Sequence, residues 1–424
     1  MKYNPFKPNG IISSGMFVGR LNEIQSIESY LFQAKSGSAQ HFLVQGERGI
    51  GKSSLFFYVE TISNGRISVN GVGRFDFLTV STDLGGCSNQ IDIIRKIGRS
   101  LKTAISDRDK LKKNASAFWN WLSNWEVLGV KYNKSNGLIG NFELDPEFVS
   151  EELSDNLAKF CKDTAGELDG VLILIDEADH PNSEAGLGEF LKMLTERLSR
   201  LRCNNVIFGL AGLPTLMKKL RESHESSPRI FHSLVLEPLE LLERKSVVKL
   251  GLEEANKKNN AQTKITDGAL ELLATLSEGY PHFLQQFSYS AFESDQDNLI
   301  DEEDVEQGAF KEGGALAQLG DKFFNEMYHA RISSEDYRRV LDAMAKHGDD
   351  WIARKQIIQE SGVSEVSVNN ALQSLKLKQI ILSDESRRGF YKLPTNSFAA
   401  WINAIHAATN ALKISGDVLP STNF

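Results

Sequence analysis

The sequence predicts an α/β fold built around a parallel sheet, on two observations. A short apolar run, His41 to Gln45, leads through Gly46-Glu47-Arg48-Gly49-Ile50-Gly51-Lys52-Ser53 into the helical pattern "SLFFYVETI". A second run, Gly170 to Ile175, is apolar almost throughout and ends in Asp176-Glu177. Continuous apolar segments of this length suit strands covered on both faces, which is the condition of a parallel sheet flanked by helices.

At 424 residues the chain exceeds the size at which one core stops growing, so two or three compact units are expected. A composition 41% hydrophobic and 25% charged is that of a globular protein. No run reaches the ~20 apolar residues of a membrane span, and "MKYNPFKPNG" has no apolar segment behind its lysine. A cytoplasmic location and no membrane partner are therefore expected. Cys87, Cys161 and Cys203 lie far apart without a CxxC pair, which argues for buried thiols over zinc or disulfides. The formal net charge of −8 leaves room only for a local nucleic-acid patch.

Gly46 to Ser53 is a full G-x-x-x-x-G-K-S between strand and helix. Its glycines let the backbone N–H groups of Gly46, Glu47, Arg48, Gly49, Ile50 and Gly51 close around phosphate oxygens. The helix start at Lys52, Ser53 and Ser54 adds its dipole. Lys52 would reach the β and γ phosphates of ATP, and Ser53 would hold Mg²⁺. The alternative is a glycine-rich turn with a chance Lys-Ser. On the second strand, Asp176 would orient Mg²⁺ and Glu177 would polarise the attacking water. Adjacent carboxylates there are costly without a cation, the bland alternative being a solvated turn. The letters of Asp176-Glu177-Ala178-Asp179-His180 invite a helicase reading. No Ser-Ala-Thr motif, threonine-containing loop or second recombinase-like domain accompanies them, so Ala178 to His180 are taken as chance.

Phe17-Val18-Gly19-Arg20 followed by Glu23 resembles the entry motif of AAA+ ATPases of the origin-recognition type and of STAND-type switch ATPases. The resemblance implies that backbone around Phe17 and Val18 lines an adenine pocket; an apolar staple before a helix is the plainer reading. "NNVIFGLAGLP" (204–214) resembles the family's fourth strand, but Leu210-Ala211-Gly212 lacks the polar sensor usual there, which implies slow hydrolysis. Arg229 stands where the family often places an arginine that reaches a neighbouring subunit, so a homo-oligomer is implied. Gly279-Tyr280-Pro281-His282 matches the Gly-x-Pro of the STAND group, with His282 as a γ-phosphate sensor or a core histidine.

Lys52 and Asp176 are 124 residues apart, and the surplus falls at 114–145. Trp119, Trp121 and Trp125 there either stack bases or pack a helix onto the core, and the segments around "KSNG" read as a hairpin. Residues 311–332 read as a connecting helix or linker. From Ser333 the order helix, short strand, two helices and two strands resembles the winged helix that follows the lid in origin-type ATPases. Its third helix offers Ser367, Asn369, Asn370, Gln373, Lys376 and Lys378, and its wing Arg387, Arg388 and Lys392. That region holds 11 Lys+Arg against 10 Asp+Glu, a weak basic bias.

The expectation is thus a P-loop core over 1–238 with a five-stranded parallel sheet and a nucleotide-contact segment at 1–24. A helical lid at 239–310 and a winged-helix domain at 333–424 follow. ATP with Mg²⁺ would sit between core and lid. Its turnover, carried by Lys52, Glu177, Arg229 and His282, would be coupled either to double-stranded DNA or to a protein partner.

Overall fold

A computed structural model describes residues 2–10, 17–68, 73–106, 108–123, 146–325, 328, 332, 334–378, 380–384 and 387–415. The expected hairpin and Trp125 lie outside these residues. The chain divides into two units, Ile11–Glu237 and Met1–Gly10 with Pro238–Phe424.

The first unit begins with α1 (Leu21–Lys35), β1 (His41–Gln45) and α2 (Lys52–Ser63). Next come β2 (Phe77–Asp83), α3 (Gln90–Ser106), α4 (Asp109–Asn114), α5 (Ser116–Ser123) and α6 (Pro146–Asp163). It closes with β3 (Gly170–Asp176), α7 (Leu187–Arg200), β4 (Val206–Gly212), α8 (Leu216–Ser223) and β5 (Phe231–Val235). The five strands form the expected sheet, in the order β2-β3-β4-β1-β5 with every pairing parallel.

Strand alternation divides the core into two layers. Leu78, Val80, Val171, Ile173, Ile175, Val206, Phe208 and Leu210 belong to one cluster with Ile97, Phe160 and Leu194 of α3, α6 and α7. Phe42, from the alternate set, meets Phe56 of α2 edge-on at 6.3 Å. Gly209 makes room for it, since a Cβ there would lie 2.4 Å from the Phe42 ring. Trp119 and Trp121 pack against the first cluster, with Phe118 stacked on Trp121 and 4.9 Å from Phe160. For these two tryptophans the packing alternative holds. Cys161 and Cys203 are buried in the same cluster, while Cys87 is half-buried.

The second unit holds α9 (Leu241–Lys258), β6 (Lys264–Ile265), α10 (Asp267–Leu276), α11 (Pro281–Ser294), β7 (Leu299–Ile300), α12 (Glu302–Phe310) and α13 (Ala315–Leu319). A π-helical turn, Gly320–Phe324, follows. Beyond it lie α14 (Glu335–Ala345), β8 (Ile352–Ala353), α15 (Arg354–Ser361), α16 (Glu365–Leu377), β9 (Leu382–Ser383), β10 (Phe390–Lys392) and α17 (Asn396–Ser415). The last three strands make an antiparallel sheet in the order β8-β10-β9.

One expectation changes here. Residues 2–10, assigned to the core from sequence, belong to the second unit: Phe6 is buried against Phe292 and Gly251, and Lys2 pairs with buried Asp295 at 2.8 Å. The segment read as a connecting helix or linker holds α13 and the π-helical turn and carries buried Leu316, Leu319 and Phe324, the last 5.7 Å from Trp401. Apolar residues that can reach a core do not remain in a solvated tether.

Candidate functional site

The site lies at the carboxyl ends of β1, β3 and β4. Gly49 and Gly51 take φ of 81° and 101°, the left-handed region that only glycine enters at little cost, and these angles bend the loop onto the start of α2. Gly46 is required by space, because a Cβ there would sit 2.7 Å from Ile50 and 3.2 Å from the Leu236 carbonyl. Glu47, Arg48 and Ile50 complete the loop, and Ile50 N donates to the Glu47 carbonyl at 3.4 Å.

Lys52 folds back across the mouth of the loop. Its Nζ donates to the carbonyl oxygens of Gly46 at 2.8 Å and Glu47 at 2.9 Å. Burial pushes its pKa below the ordinary lysine value, and Asp176, Asp179 and Glu47 oppose that shift. Ser53 Oγ donates to Asp176 Oδ2 at 2.5 Å, while Asp176 Oδ1 accepts from Glu177 N at 2.8 Å. A hydroxyl beside a carboxylate is a hard-oxygen donor set, which suits Mg²⁺. Ser54 lies beside Ser53 in the first turn of α2.

The entry motif reaches the loop directly. Phe17 stacks on Tyr58 of α2 at 5.3 Å, with Val18 adjacent. Gly19 and Arg20, both at positive φ, turn the chain so that the buried Arg20 guanidinium donates to the Ile50 carbonyl at 3.2 Å. Arg229 occupies the 3₁₀ turn Ser227–Ile230 before β5, exposed and without an ion pair among the described residues. His282 belongs to the other unit, with its ring 4.8 Å from that of Phe323. Burial pushes its pKa down to about 4.

Sequence reasoning missed Asp179 and His180, taken there as chance. Asp179 Oδ1 accepts from Leu213 N at 3.0 Å and fills the space beyond Gly212, where a Cβ would lie 2.6 Å away. The absent polar residue at the end of β4 is thus matched by a carboxylate delivered from the turn after β3. His180 Nδ1 stands 3.0 Å from Glu177 Oε2, an i,i+3 spacing that a turn could have suggested. Asp83, in register with Asp176 across the β2/β3 pair, is held by Lys96 at 2.6 Å, which keeps its carboxyl below the usual range.

This arrangement defines a fold class, the P-loop NTPase fold with a strand ending in Asp-Glu. Residues 16–208 match the AAA ATPase domain family. Over 270 residues, 60% of this chain, the sequence is 27% identical to an uncharacterised HTH-type transcriptional regulator of Methanocaldococcus jannaschii. The match spans 58% of that relative's length. Two solved structures share the fold. One is the Walker-type ATPase of Pyrococcus abyssi, at TM-score 0.53 and 17% identity over 91% of this chain and 96% of that one. The other is the ORC2 protein of Aeropyrum pernix in its ADPNP-ADP complexes, at TM-score 0.56 and 16% identity over 97% and 99%.

Proposed function

We propose that the chain binds ATP with Mg²⁺ on the Gly46–Ser54 loop and hydrolyses it, with Glu177 accepting the proton of the attacking water. Nucleotide state is read out by a winged helix built from residues 334–392. The observation that carries this reading is the 2.5 Å contact between Ser53 and Asp176, beside Lys52. It puts a hydroxyl from the start of α2 and a carboxylate from the end of β3 at one loop, a pair suited to a metal ion. When bound, Mg²⁺ neutralises phosphate charge; Ser53 and Asp176 would hold it, and Lys52 would exchange its carbonyl partners for phosphate oxygens.

In this reading residues 239–310 are the lid and α16 is the helix that meets duplex DNA. Asn369, Asn370, Gln373 and Lys376 are exposed on α16. The relative's designation as an HTH-type regulator supports DNA as the partner. A second reading, in which the module contacts a protein and slow turnover times a signalling state, has its own support. Arg387 is engaged internally by Asp384 at 2.7 Å and lies over the Phe390 ring, and Lys392 lies over Trp351. Val366 and Leu377 are exposed on α16 at 70% and 78%.

The test is steady-state ATP hydrolysis with and without duplex DNA, using Glu177→Gln as the blank. Stimulation by DNA supports the first reading. Turnover indifferent to DNA overturns it and leaves the protein-directed one.

A further inference from the structure

The turn after β3 is fastened at its two inner residues. Ala178 N donates to the Ala211 carbonyl at 2.9 Å, and the Asp179 carboxylate accepts from Leu213 N at 3.0 Å. Lys219 Nζ donates to the carbonyls of Asp179 and Pro181, the latter at 3.2 Å. His180 N closes the turn on the Glu177 carbonyl at 2.9 Å. With Ala178 and Asp179 tied to the end of β4, the outer side chains are left to meet, and His180 Nδ1 stands 3.0 Å from Glu177 Oε2. Glu177 itself is held at φ 48°, in the left-handed region that costs a non-glycine residue energy.

Both side chains are about half exposed, and an exposed pair of this kind adds little stability. Its consequence is directional. It engages one oxygen of the carboxylate, and the other has no partner among the described residues. The loop after β2 lies against the pair, since a Cβ at Gly85 would be 3.7 Å from His180 Nδ1 and 4.0 Å from Glu177 Oε2. Lys96 secures that loop through the Gly85 carbonyl at 2.9 Å and Asp83 at 2.6 Å.

We infer that His180 is a positioning residue, which aims the Glu177 carboxylate so that its second oxygen takes the proton of the attacking water. In that step the water O–H bond breaks and the proton passes to Glu177. The electron pair left on oxygen forms the new bond to the γ-phosphorus, while the bond from that phosphorus to the β–γ bridging oxygen breaks and its electron pair leaves with ADP. His180 exchanges no proton in that step and supplies direction alone. The inference rests on Glu177 being the base.

The experiment measures Mg²⁺-dependent ATP hydrolysis, ATP binding and thermal melting on the full chain, for the wild type, Glu177→Gln, His180→Ala and His180→Asn. Glu177→Gln is expected to stop turnover with ATP still bound. His180→Ala is expected to lower kcat about tenfold with KM and melting unchanged, in keeping with the cost of a misaimed catalytic group. His180→Asn, whose amide is polar and can donate to the same carboxylate oxygen, is expected to recover part of that loss. Wild-type or faster turnover in His180→Ala, with Glu177→Gln inactive, would overturn the role of His180 alone. A lowered melting point with no recovery in His180→Asn would mark the histidine as structural, also against the inference. Full activity in Glu177→Gln would remove the base, and the positioning role with it.

Discussion

Gly212 shows how closely the site is packed at the level of one atom. A methyl group there would press on the Asp179 carboxylate at 2.6 Å and on Leu216 at 2.9 Å. Gly212→Ala is expected to cost about 1–3 kcal/mol, the usual range for overpacking, and to slow turnover by shifting the turn that carries Glu177. Urea unfolding together with an ATPase assay would measure both, and a variant identical to wild type would refute the packing argument. Lys52 spans the loop through two carbonyls, so Lys52→Ala removes the cation that would meet the phosphates. It is expected to weaken ATP binding at least tenfold by calorimetry; unchanged affinity would count against the phosphate-loop assignment.

Among the elements, α16 has an identifiable start. Ser364 Oγ accepts from Ser367 N at 3.2 Å, satisfying one of the orphan donors of the first turn. Ser364→Ala is therefore expected to destabilise the fold by about 1 kcal/mol. If α16 meets DNA, the same change should also weaken duplex binding, read by fluorescence anisotropy. The strands β3 and β4 were legible in sequence because each is apolar on both faces, and both are buried along almost their whole length. The role of Trp119 and Trp121 was not, since a tryptophan pattern is the same whether the rings face a core or a ligand. Contact with the Phe118 and Phe160 cluster decides it, and that contact depends on α6, more than twenty residues further along the chain.

At the scale of the whole chain, acidity offers a handle on the second unit. Glu278 adopts φ 50° between α10 and α11 and accepts from Ser397 N, at the start of α17, at 2.6 Å. Burial, with Asp349 nearby, raises its pKa from 4.5 to about 7. A carboxyl whose folded pKa lies above its unfolded one binds more protons when folded, so stability falls as pH rises from about 4.5 to about 7 and then levels off. Glu278→Gln keeps an acceptor for Ser397 without the charge. It is expected to raise the melting temperature by a few degrees at pH 8 and to leave it unchanged at pH 4, and equal shifts at both would disprove the linkage. No helix among the described residues is long and apolar enough to cross a membrane.

By itself the sequence determined the class of the fold and the ends of the two strands that matter. A glycine loop closing on Lys52 and Ser53, and an apolar strand ending in Asp176 and Glu177, are local signals, written in consecutive residues whose conformational needs are nearly independent of context. Tertiary structure decided what depends on distant residues meeting. It moved residues 2–10 into the second unit through Phe6 and Lys2, and it turned Asp179 from a chance letter into a group that holds the end of β4. Such contacts arise from strand register and turn geometry, which no short stretch of sequence encodes.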